Sequence, residues 1–415
     1  MTEILLTIFF ISVLLFFLGS GIWVALSMIG VSAIGMMLFT SRPVGDAMAT
    51  TIWGTSSSWT LTALPLFVWM GEILFRTKLS ENLFKGLSPW MQKLPGGLIH
   101  VNVVGCALFA AISGSSAATV ATVGKMSIPE LRKRNYPEKI LLGSLAGSGT
   151  LGLLIPPSII LIIYGVAVQE SIAKLFIAGI IPGIMIALIF MSYVIIWSLI
   201  NKKSMPKIIE EYSFFEKIKR SKQLLPVIIL ILAVIGSIYT GIATATEAAS
   251  LGVVGALILS YFQKSLTLKT FKSSLLGATK TSCMIAFILA GSTFLSLAMG
   301  FTGLPRNLAL WIQNMELSPY VLIFVLMIFY IILGMFLDGI SAVVLTMAII
   351  EPMIRQAGFD MIWFGIFLVI VVEMAQITPP VGFNLFVLQG MAKKDMGYIA
   401  TVSYTHLRAH ETRLN

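Results

Sequence analysis

Four short polar segments interrupt the apolar parts of this sequence, and their residue types could bind a cation and an anion. The first is "SGSS" at 113–116, and the second runs from "GSGT" at 147–150 to "PPS" at 156–158. The third is "LDGIS" at 337–341, and the fourth is "TPPVG" at 378–382. Their oxygens suit sodium, a hard cation, and helix amino ends beside them would favour a carboxylate. Together, the segments predict a site for ions and an anion.

The chain around these segments has the composition of a membrane protein. Of its 415 residues, 57% are hydrophobic and 11% are charged, and the mean hydropathy is +0.95. Soluble proteins carry about 25% charged residues, and the uncharged windows here reach the roughly 20 residues that one crossing needs. No alternation typical of an outer-membrane barrel is visible. We expect an all-α polytopic membrane protein whose net charge of +10 reflects basic cytoplasmic loops.

Basic residues place both ends of the first polar segment on one side of the membrane. Lys and Arg clusters at 85–93 and 132–134 flank the apolar stretch that contains it. Because basic loops stay in the cytoplasm, both ends are expected there. Limbs of about 15 residues rise only about 22 Å each, too short for a hydrocarbon core of about 30 Å. We predict a re-entrant hairpin with its tip at Ser113 to Ser116, facing protein or a wet cavity.

A weak repeat relates the two halves of the sequence. Pro129 matches Pro352, and the proline pair at 156–157 matches the pair at 379–380 at the same offset. A polar turn precedes each copy. Because proline lacks an amide donor and clashes with the preceding turn, each pair is expected to break a helix and free carbonyls inside the membrane. When membrane crossings are counted from the basic loop at 201–222, the second half starts inside the cell, whereas the first half starts outside. The second half is therefore an inverted copy of the first.

We therefore predict two inverted repeats joined by a basic linker. The first repeat, 1–200, would hold helices 1 to 3, an arm, hairpin 1 at about 97–127, a broken helix at 138–168 and a helix at 172–200. The cytoplasmic linker would span 201–222, and the second repeat, 223–400, would hold hairpin 2 at about 320–354 and a broken helix at 361–392. Residues 402–415 resemble translated sequencing-adapter read-through, and we expect them to be a non-native tail in place of a last helix.

Alternative interpretations of single features stay open at this point. "SGSS" could be an ordinary loop or a close crossing of helices through small residues, and a proline pair alone could be a structural kink. Glu72, Glu247, Asp338 and Glu373 lie in or near apolar stretches, where ionisable groups are costly and usually functional. A proton relay competes with helix capping by Glu247 and with a backbone or arginine partner for Glu72. Asp338 is the strongest candidate because it lies at a predicted tip.

No enzyme signature stands out in the sequence. It has no Gly-rich phosphate loop, and the serine-rich tip has no partnered base, so neither ATP use nor covalent catalysis is indicated. Cys106 and Cys283 both lie in apolar stretches, which supports neither a disulfide framework nor a metal cluster. Ion-coupled transport remains as the leading function. A channel, a non-transporting scaffold subunit and an intramembrane enzyme are the competing classes.

Motifs in order along the chain resemble the large membrane subunit of tripartite ATP-independent periplasmic (TRAP) transporters, in the ion transporter superfamily. They include "GTLGLLIPPSIILIIYG", "YTGIATATEAASLG", "GMFLDGIS" and "ITPPVGFNLFVLQG". The resemblance implies sodium-coupled, elevator-type import of a small organic acid across the bacterial inner membrane. It also implies two partners, a periplasmic substrate-binding protein and a small four-helix membrane subunit, and no nucleic acid. A stand-alone cation-coupled dicarboxylate or citrate-type symporter is the alternative.

The same resemblance assigns ion- and substrate-binding regions to both tips and both breaks. The residues assigned in this way are Ser113, Gly114, Ser115, Ser116, Gly149, Thr150, Pro156, Pro157, Ser158, Asp338, Gly339, Ser341, Thr378, Pro379, Pro380, Gly382 and Asn384. Sodium is expected at Ser113, Ser115, Ser341 and Thr378. Apart from sodium as the coupling ion, no cofactor is expected.

Overall fold

The computed structural model describes residues 2–77, 79–206, 212–222, 224–303, 307, 318–335, 337–379 and 382–404. Within them the fold consists of 19 α-helices and no strand, which confirms the all-helical class. In the first half the helices are α1 (Thr2–Gly19), α2 (Val24–Phe39), α3 (Val44–Ser56), α4 (Ala63–Phe75), α5 (Leu79–Met91), α6 (Ile99–Ser113), α7 (Ser116–Lys133), α8 (Glu138–Gly149), α9 (Ile159–Ala167) and α10 (Ile172–Ile200). In the second half they are α11 (Phe214–Ser221), α12 (Leu225–Tyr239), α13 (Ala245–Phe262), α14 (Leu268–Thr302), α15 (Pro319–Gly334), α16 (Gly339–Gln356), α17 (Met361–Gln376), α18 (Phe383–Ala392) and α19 (Met396–Tyr404).

Several of these helices have the length and apolar surface of membrane spans. Four of the described helices, α10, α13, α14 and α16, are long and apolar enough to cross a bilayer, and two bent pairs would raise the number to six. Large apolar side chains lie on the outer face of α10, where Ile181 and Ile200 are each 77% exposed. Such a surface is suited to lipid. The protein is a multi-pass membrane protein.

Two hairpins pair neighbouring helices through tight polar turns. In the first, α6 ends because Gly114 takes the left-handed conformation at φ +60, and α7 begins at the Ser115 cap. In the second, α15 ends at Gly334, and Asp338 caps the start of α16. We call residues 113–116 the first tip and 337–341 the second tip.

Two helices are broken near the same level as these turns. α8 runs into a 3-10 turn at Thr150–Leu153, and the chain extends through Pro156 and Pro157 before Ser158 caps α9. Further along, α17 stops at Gln376, and α18 begins after Gly382. We call 150–158 the first break and 377–382 the second break, of which residues 380 and 381 lie outside the described residues. The first broken helix is buried on all sides: every residue from Ile140 to Leu154 is buried.

Some elements were not predicted from the sequence. The linker contains α11, whose capping box joins Ser213 and Glu216, and α3 precedes α4 at an angle of 51°. Helix α19 runs on to Tyr404, past the position where the tail was predicted to begin. The remainder of that predicted tail, 405–415, lies outside the described residues.

Candidate functional site

The first tip lies directly against the first break through backbone contacts. The Ile159 N–H donates to the Gly114 carbonyl oxygen across 3.2 Å. An ideal Cβ on Gly114 would lie 2.5 Å from the Pro157 oxygen, and one on Gly152 would lie 2.6 Å from the Ser115 oxygen. The two segments are therefore in contact without intervening side chains, which brings their carbonyl oxygens together.

A cluster of hydroxyl groups surrounds the first tip. The Ser113 hydroxyl shares a 2.9 Å hydrogen bond with Thr119, whose own hydroxyl donates to the Ser115 oxygen at 2.7 Å. Ser115 also accepts from the Ala118 N–H, as an amino-terminal cap of α7. Ser113 and Thr119 are buried. Sequence analysis missed Thr119, although its spacing of four residues from Ser115 places both on one face of the helix.

The side chains of the first break hold its irregular backbone in place. Ser158 donates to the Leu153 oxygen and accepts from the Leu161 N–H at 3.3 Å, which caps α9. Thr150 donates to the Gly147 oxygen at 2.8 Å. The bond between Pro156 and Pro157 is a cis peptide. Proline has no N–H to donate to a carbonyl group in the preceding turn. Side-chain hydroxyls supply part of the missing hydrogen bonds.

Gln376 links the two tips to the second broken helix. Its Oε1 atom accepts a 2.7 Å hydrogen bond from the Ser116 hydroxyl. Its Nε2 atom would lie 2.9 Å from an ideal Cβ on Gly339, and the same Cβ would be 3.2 Å from Ile160 in α9. The first and second tips therefore meet around one buried amide group. Sequence analysis missed Gln376; the available signal was a polar residue just before "TPP" in an apolar helix.

Asp338 acts as a helix cap at the second tip. Its Oδ2 atom accepts from the N–H groups of Ile340 and Ser341 at 3.1 and 3.2 Å. Both bonds use the same oxygen, so Oδ1 takes no part in the cap. Ser341 is buried beside it. The second tip thus offers a carboxylate oxygen and a hydroxyl, which are ligands that suit a hard cation.

A buried polar side chain without a partner among the described residues lies just after the second break. Asn384 is fully buried in the first turn of α18, and neither atom of its amide has a hydrogen-bond partner among the described residues. Gly382 precedes it at φ +51 and contributes no side-chain cap. Thr378, just after α17, donates to the Met374 oxygen in the last turn of that helix at 2.7 Å. Pro379 lies in the turn, and Pro380 lies outside the described residues. A buried amide of this kind requires an explanation, and a ligand supplies one.

Four helix amino ends lie at the tips and breaks. Those of α7, α9 and α16 are capped by their own side chains, Ser115, Ser158 and Asp338. The amino end of α18 has no such cap. Helix amino ends carry partial positive charge and bind anions, so an uncapped one is the best placed to receive a carboxylate.

The remaining acidic candidates divide into two kinds. Glu247 forms a capping box with Thr244, accepting its N–H and hydroxyl at 2.8 Å each. Glu72 pairs with Arg76 at 2.5 Å, one turn further along α4. These contacts give both residues a structural role. Glu373, in contrast, is 3% exposed, and its Oε1 atom has no hydrogen-bond partner among the described residues.

Comparisons with known proteins agree on one family. The family model described as "Tripartite ATP-independent periplasmic transporter, DctM component" matches residues 9–407. The C4-dicarboxylate TRAP transporter large permease protein of Pseudomonas aeruginosa is 33% identical, covering 88% of this chain and 85% of that protein. The 2,3-diketo-L-gulonate TRAP transporter large permease protein of Escherichia coli is 32% identical, covering 83% and 81%.

Two further similarities concern the assembly and the fold. An isethionate TRAP transporter permease protein of Oleidesulfovibrio alaskensis is 30% identical over 93% of this chain, which spans 60% of that longer protein. Among solved structures, the YdaH transporter of Alcanivorax borkumensis covers 95% of this chain and 94% of its own, with a TM-score of 0.64 and 12% identity. That likeness supports the fold alone. The chain belongs to the DctM family, the large permease subunits of tripartite ATP-independent periplasmic transporters.

Proposed function

We propose that this chain is the transport subunit of a sodium-coupled TRAP system that imports a small organic acid across the bacterial inner membrane. The P. aeruginosa and E. coli relatives are named for C4-dicarboxylate and for 2,3-diketo-L-gulonate, which are both small organic acids. In this proposal a periplasmic binding protein delivers the substrate, and a small membrane subunit completes the assembly. Family membership favours this over the stand-alone symporter.

The proposal rests on one observation, the meeting of both tips and both broken helices around a small set of buried oxygen atoms. The first tip contacts the first break directly, and Gln376 joins it to the second tip. Soluble proteins satisfy buried backbone with regular structure, and membrane proteins tolerate irregular backbone only where it is buried or lines a site. A transport site at the middle of inverted repeats is built in this way.

Two sodium sites fit the oxygen atoms of the tips. At the first tip, the ligands would be the hydroxyls of Ser113 and Ser115 together with the Pro157 oxygen that faces Gly114. At the second tip, Oδ1 of Asp338 and the hydroxyl of Ser341 offer a carboxylate and a neutral ligand. Hydroxyl, carbonyl and carboxylate oxygens are the ligands a hard monovalent cation prefers. Thr378 would complete the second site.

The substrate carboxylate is assigned to the amino end of α18. Asn384 offers two amide donors there, and the α18 dipole adds partial positive charge. Bound sodium beside it would offset the charge of the carboxylate, so that ion and substrate binding support each other. We further propose that the hairpins and broken helices move together against the surrounding helices, as in an elevator.

Uptake into proteoliposomes tests the function. The full chain would be reconstituted with its small subunit and supplied with its binding protein and a labelled C4-dicarboxylate. Saturable uptake that requires an inward sodium gradient supports the proposal. Uptake that proceeds equally with potassium in place of sodium would overturn sodium coupling, and non-saturable flux would indicate a channel.

A further inference from the structure

Glu373 is a buried carboxyl group that none of the contacts described above uses. It lies one turn before Gln376 in α17 and is 3% exposed, and its Oε1 atom has no partner among the described residues. An ionised carboxylate inside a membrane is costly unless it is paired and hydrogen bonded. Glu373 therefore requires either a bound cation or a bound proton.

The side chain faces the first break. Its carboxyl group accepts a hydrogen bond from the Leu154 backbone N–H. Ile366, seven residues earlier, lies on the same face of α17 because seven residues make about two turns. Ile366 lies 3.7 Å from an ideal Cβ on Gly179 of α10, and that Cβ would be 2.9 Å from the Leu154 oxygen. Glu373 thus lies where α17, α10 and the first break meet, and its spacing of three residues from Gln376 places the two side chains on neighbouring sides of α17.

The elements that pack against α17 carry ionisable side chains, most of which have partners of their own. Helix α17 packs against α9, α10, α15, α16, α18 and the 3-10 turn of the first break. Among these side chains, Tyr164 donates to the Met361 oxygen, and Tyr330 shares a hydrogen bond with Thr346. Glu351 and Glu170 both pair with Arg355, and Asp338 and Asp360 cap α16 and α17. The other ionisable groups described on these elements or beside their ends include Tyr320, Lys174, Tyr193 and Lys393.

The charged side chains on these neighbouring elements lie far from Glu373. Met361, where the Tyr164 bond is made, begins α17 and lies about 18 Å along the helix from Glu373. Arg355 donates to the Val168 oxygen at 3.1 Å, which places its cluster near the end of α9, and Lys174 is exposed at the start of α10. Lys393 follows α18, about 15 Å along that helix from Gly382. None of these described cations therefore supplies a counter-charge at Glu373.

We propose that Glu373 is a proton-binding site, loaded and emptied as the first break and α17 move relative to α10. When the site is dry, the carboxylate holds a proton taken from water in an O–H bond; when water enters, the proton returns to water and leaves the carboxylate. Sodium fits this position less well, because it needs several converging oxygens, whereas Leu154 presents a backbone N–H donor to the carboxyl group. The proton site goes beyond the proposed sodium coupling and does not depend on it.

Carbodiimide labelling of the purified full chain tests the site without substrate or partners. Dicyclohexylcarbodiimide modifies protonated carboxyl groups in apolar surroundings, and peptide mass spectrometry locates the adduct. We expect Glu373 to be modified, and the extent of modification to fall as the pH is raised, while the exposed Glu247 stays unmodified. Absence of the adduct, modification that does not change with pH, or its loss when sodium is added at constant pH would each overturn the proposal.

Transport by two matched variants gives a second, independent test. In the complete reconstituted system, Glu373→Gln should give uptake that varies little with pH. The parent and Glu247→Gln should vary by up to about tenfold per pH unit, the limit for one proton. A Glu373→Gln variant that keeps the parent's pH profile would refute the proton site. If uptake is independent of sodium in all three proteins while Glu373 still labels, the proposed sodium coupling fails and the proton site stands.

Discussion

Gly114→Ala is expected to separate the first tip from the first break. Gly114 lies at φ +60, and alanine in this left-handed conformation costs about 1–2 kcal/mol. Its Cβ would also lie 2.5 Å from the Pro157 oxygen, so the tip must retreat. Retreat stretches the 3.2 Å bond from the Ile159 N–H to the Gly114 oxygen, which contributes about 1 kcal/mol. The combined loss is about 2–3 kcal/mol.

Gly241→Ala is a matched control for the backbone strain. Gly241 has φ +71, close to that of Gly114, and no heavy atom of the described residues lies within 4 Å of its ideal Cβ. The control therefore carries the conformational cost without the overlap at the first break. The difference between the two variants measures the contact between tip and break, which we place at about 1 kcal/mol.

The assay is the sodium activation curve of uptake, measured beside the melting temperature of each purified variant. A loss of about 1 kcal/mol at the sodium site corresponds to about a fivefold higher half-activating sodium concentration in Gly114→Ala than in Gly241→Ala. Gly114→Asn should show the same shift, because asparagine tolerates left-handed backbone but keeps the overlap. Superimposable curves for Gly114→Ala and Gly241→Ala, or full recovery with asparagine, would refute a contact role for the first tip.

Three further variants test other contacts. Gln376→Leu leaves the buried Ser116 hydroxyl without its acceptor, so thermal stability should fall by the equivalent of about 1–3 kcal/mol, and an unchanged melting temperature would contradict that bond. Asn384→Leu removes two unpartnered buried atoms, so the melting temperature should hold or rise while sodium-dependent uptake is lost; a full sodium response would remove Asn384 from the site. Thr244→Ala breaks the capping box of α13 and should cost about 1 kcal/mol without moving the sodium curve, and a shifted curve would show that the cap is coupled to the site.

The turn of the first hairpin was predictable from local chemistry, because short sequence motifs specify where α6 ends and α7 begins. Glycine at the end of α6 and serine before α7 are ordinary helix stop and start signals, and both act as such at Gly114 and Ser115. Basic flanks and limb length then favoured a hairpin over a span. The second hairpin, α15 and α16, was predictable only from the repeat, since α15 alone is apolar throughout.

Contacts between distant segments could not be predicted in the same way. The bond between Ser116 and Gln376 joins residues 260 positions apart, and no local pattern specifies it. Short helices were also missed, because α3 and α11 lie outside the long apolar windows on which the prediction depended. By contrast, the partner of Glu72 was visible in the sequence as an arginine four residues later.

Polar residues with a structural role have hydrogen-bond partners among the described residues, whereas those that need a ligand have atoms without a partner. Glu72, Glu247 and Gln376 have partners within the described residues. Glu373 and Asn384 lie on either side of the second break, are nearly or fully buried, and have atoms without partners. Each such atom costs about 1–3 kcal/mol, which a folded chain tolerates only where something else recovers it. Because both residues adjoin helix ends that open at a break, we propose that ligand or proton binding, rather than folding alone, is the step at which these groups become satisfied.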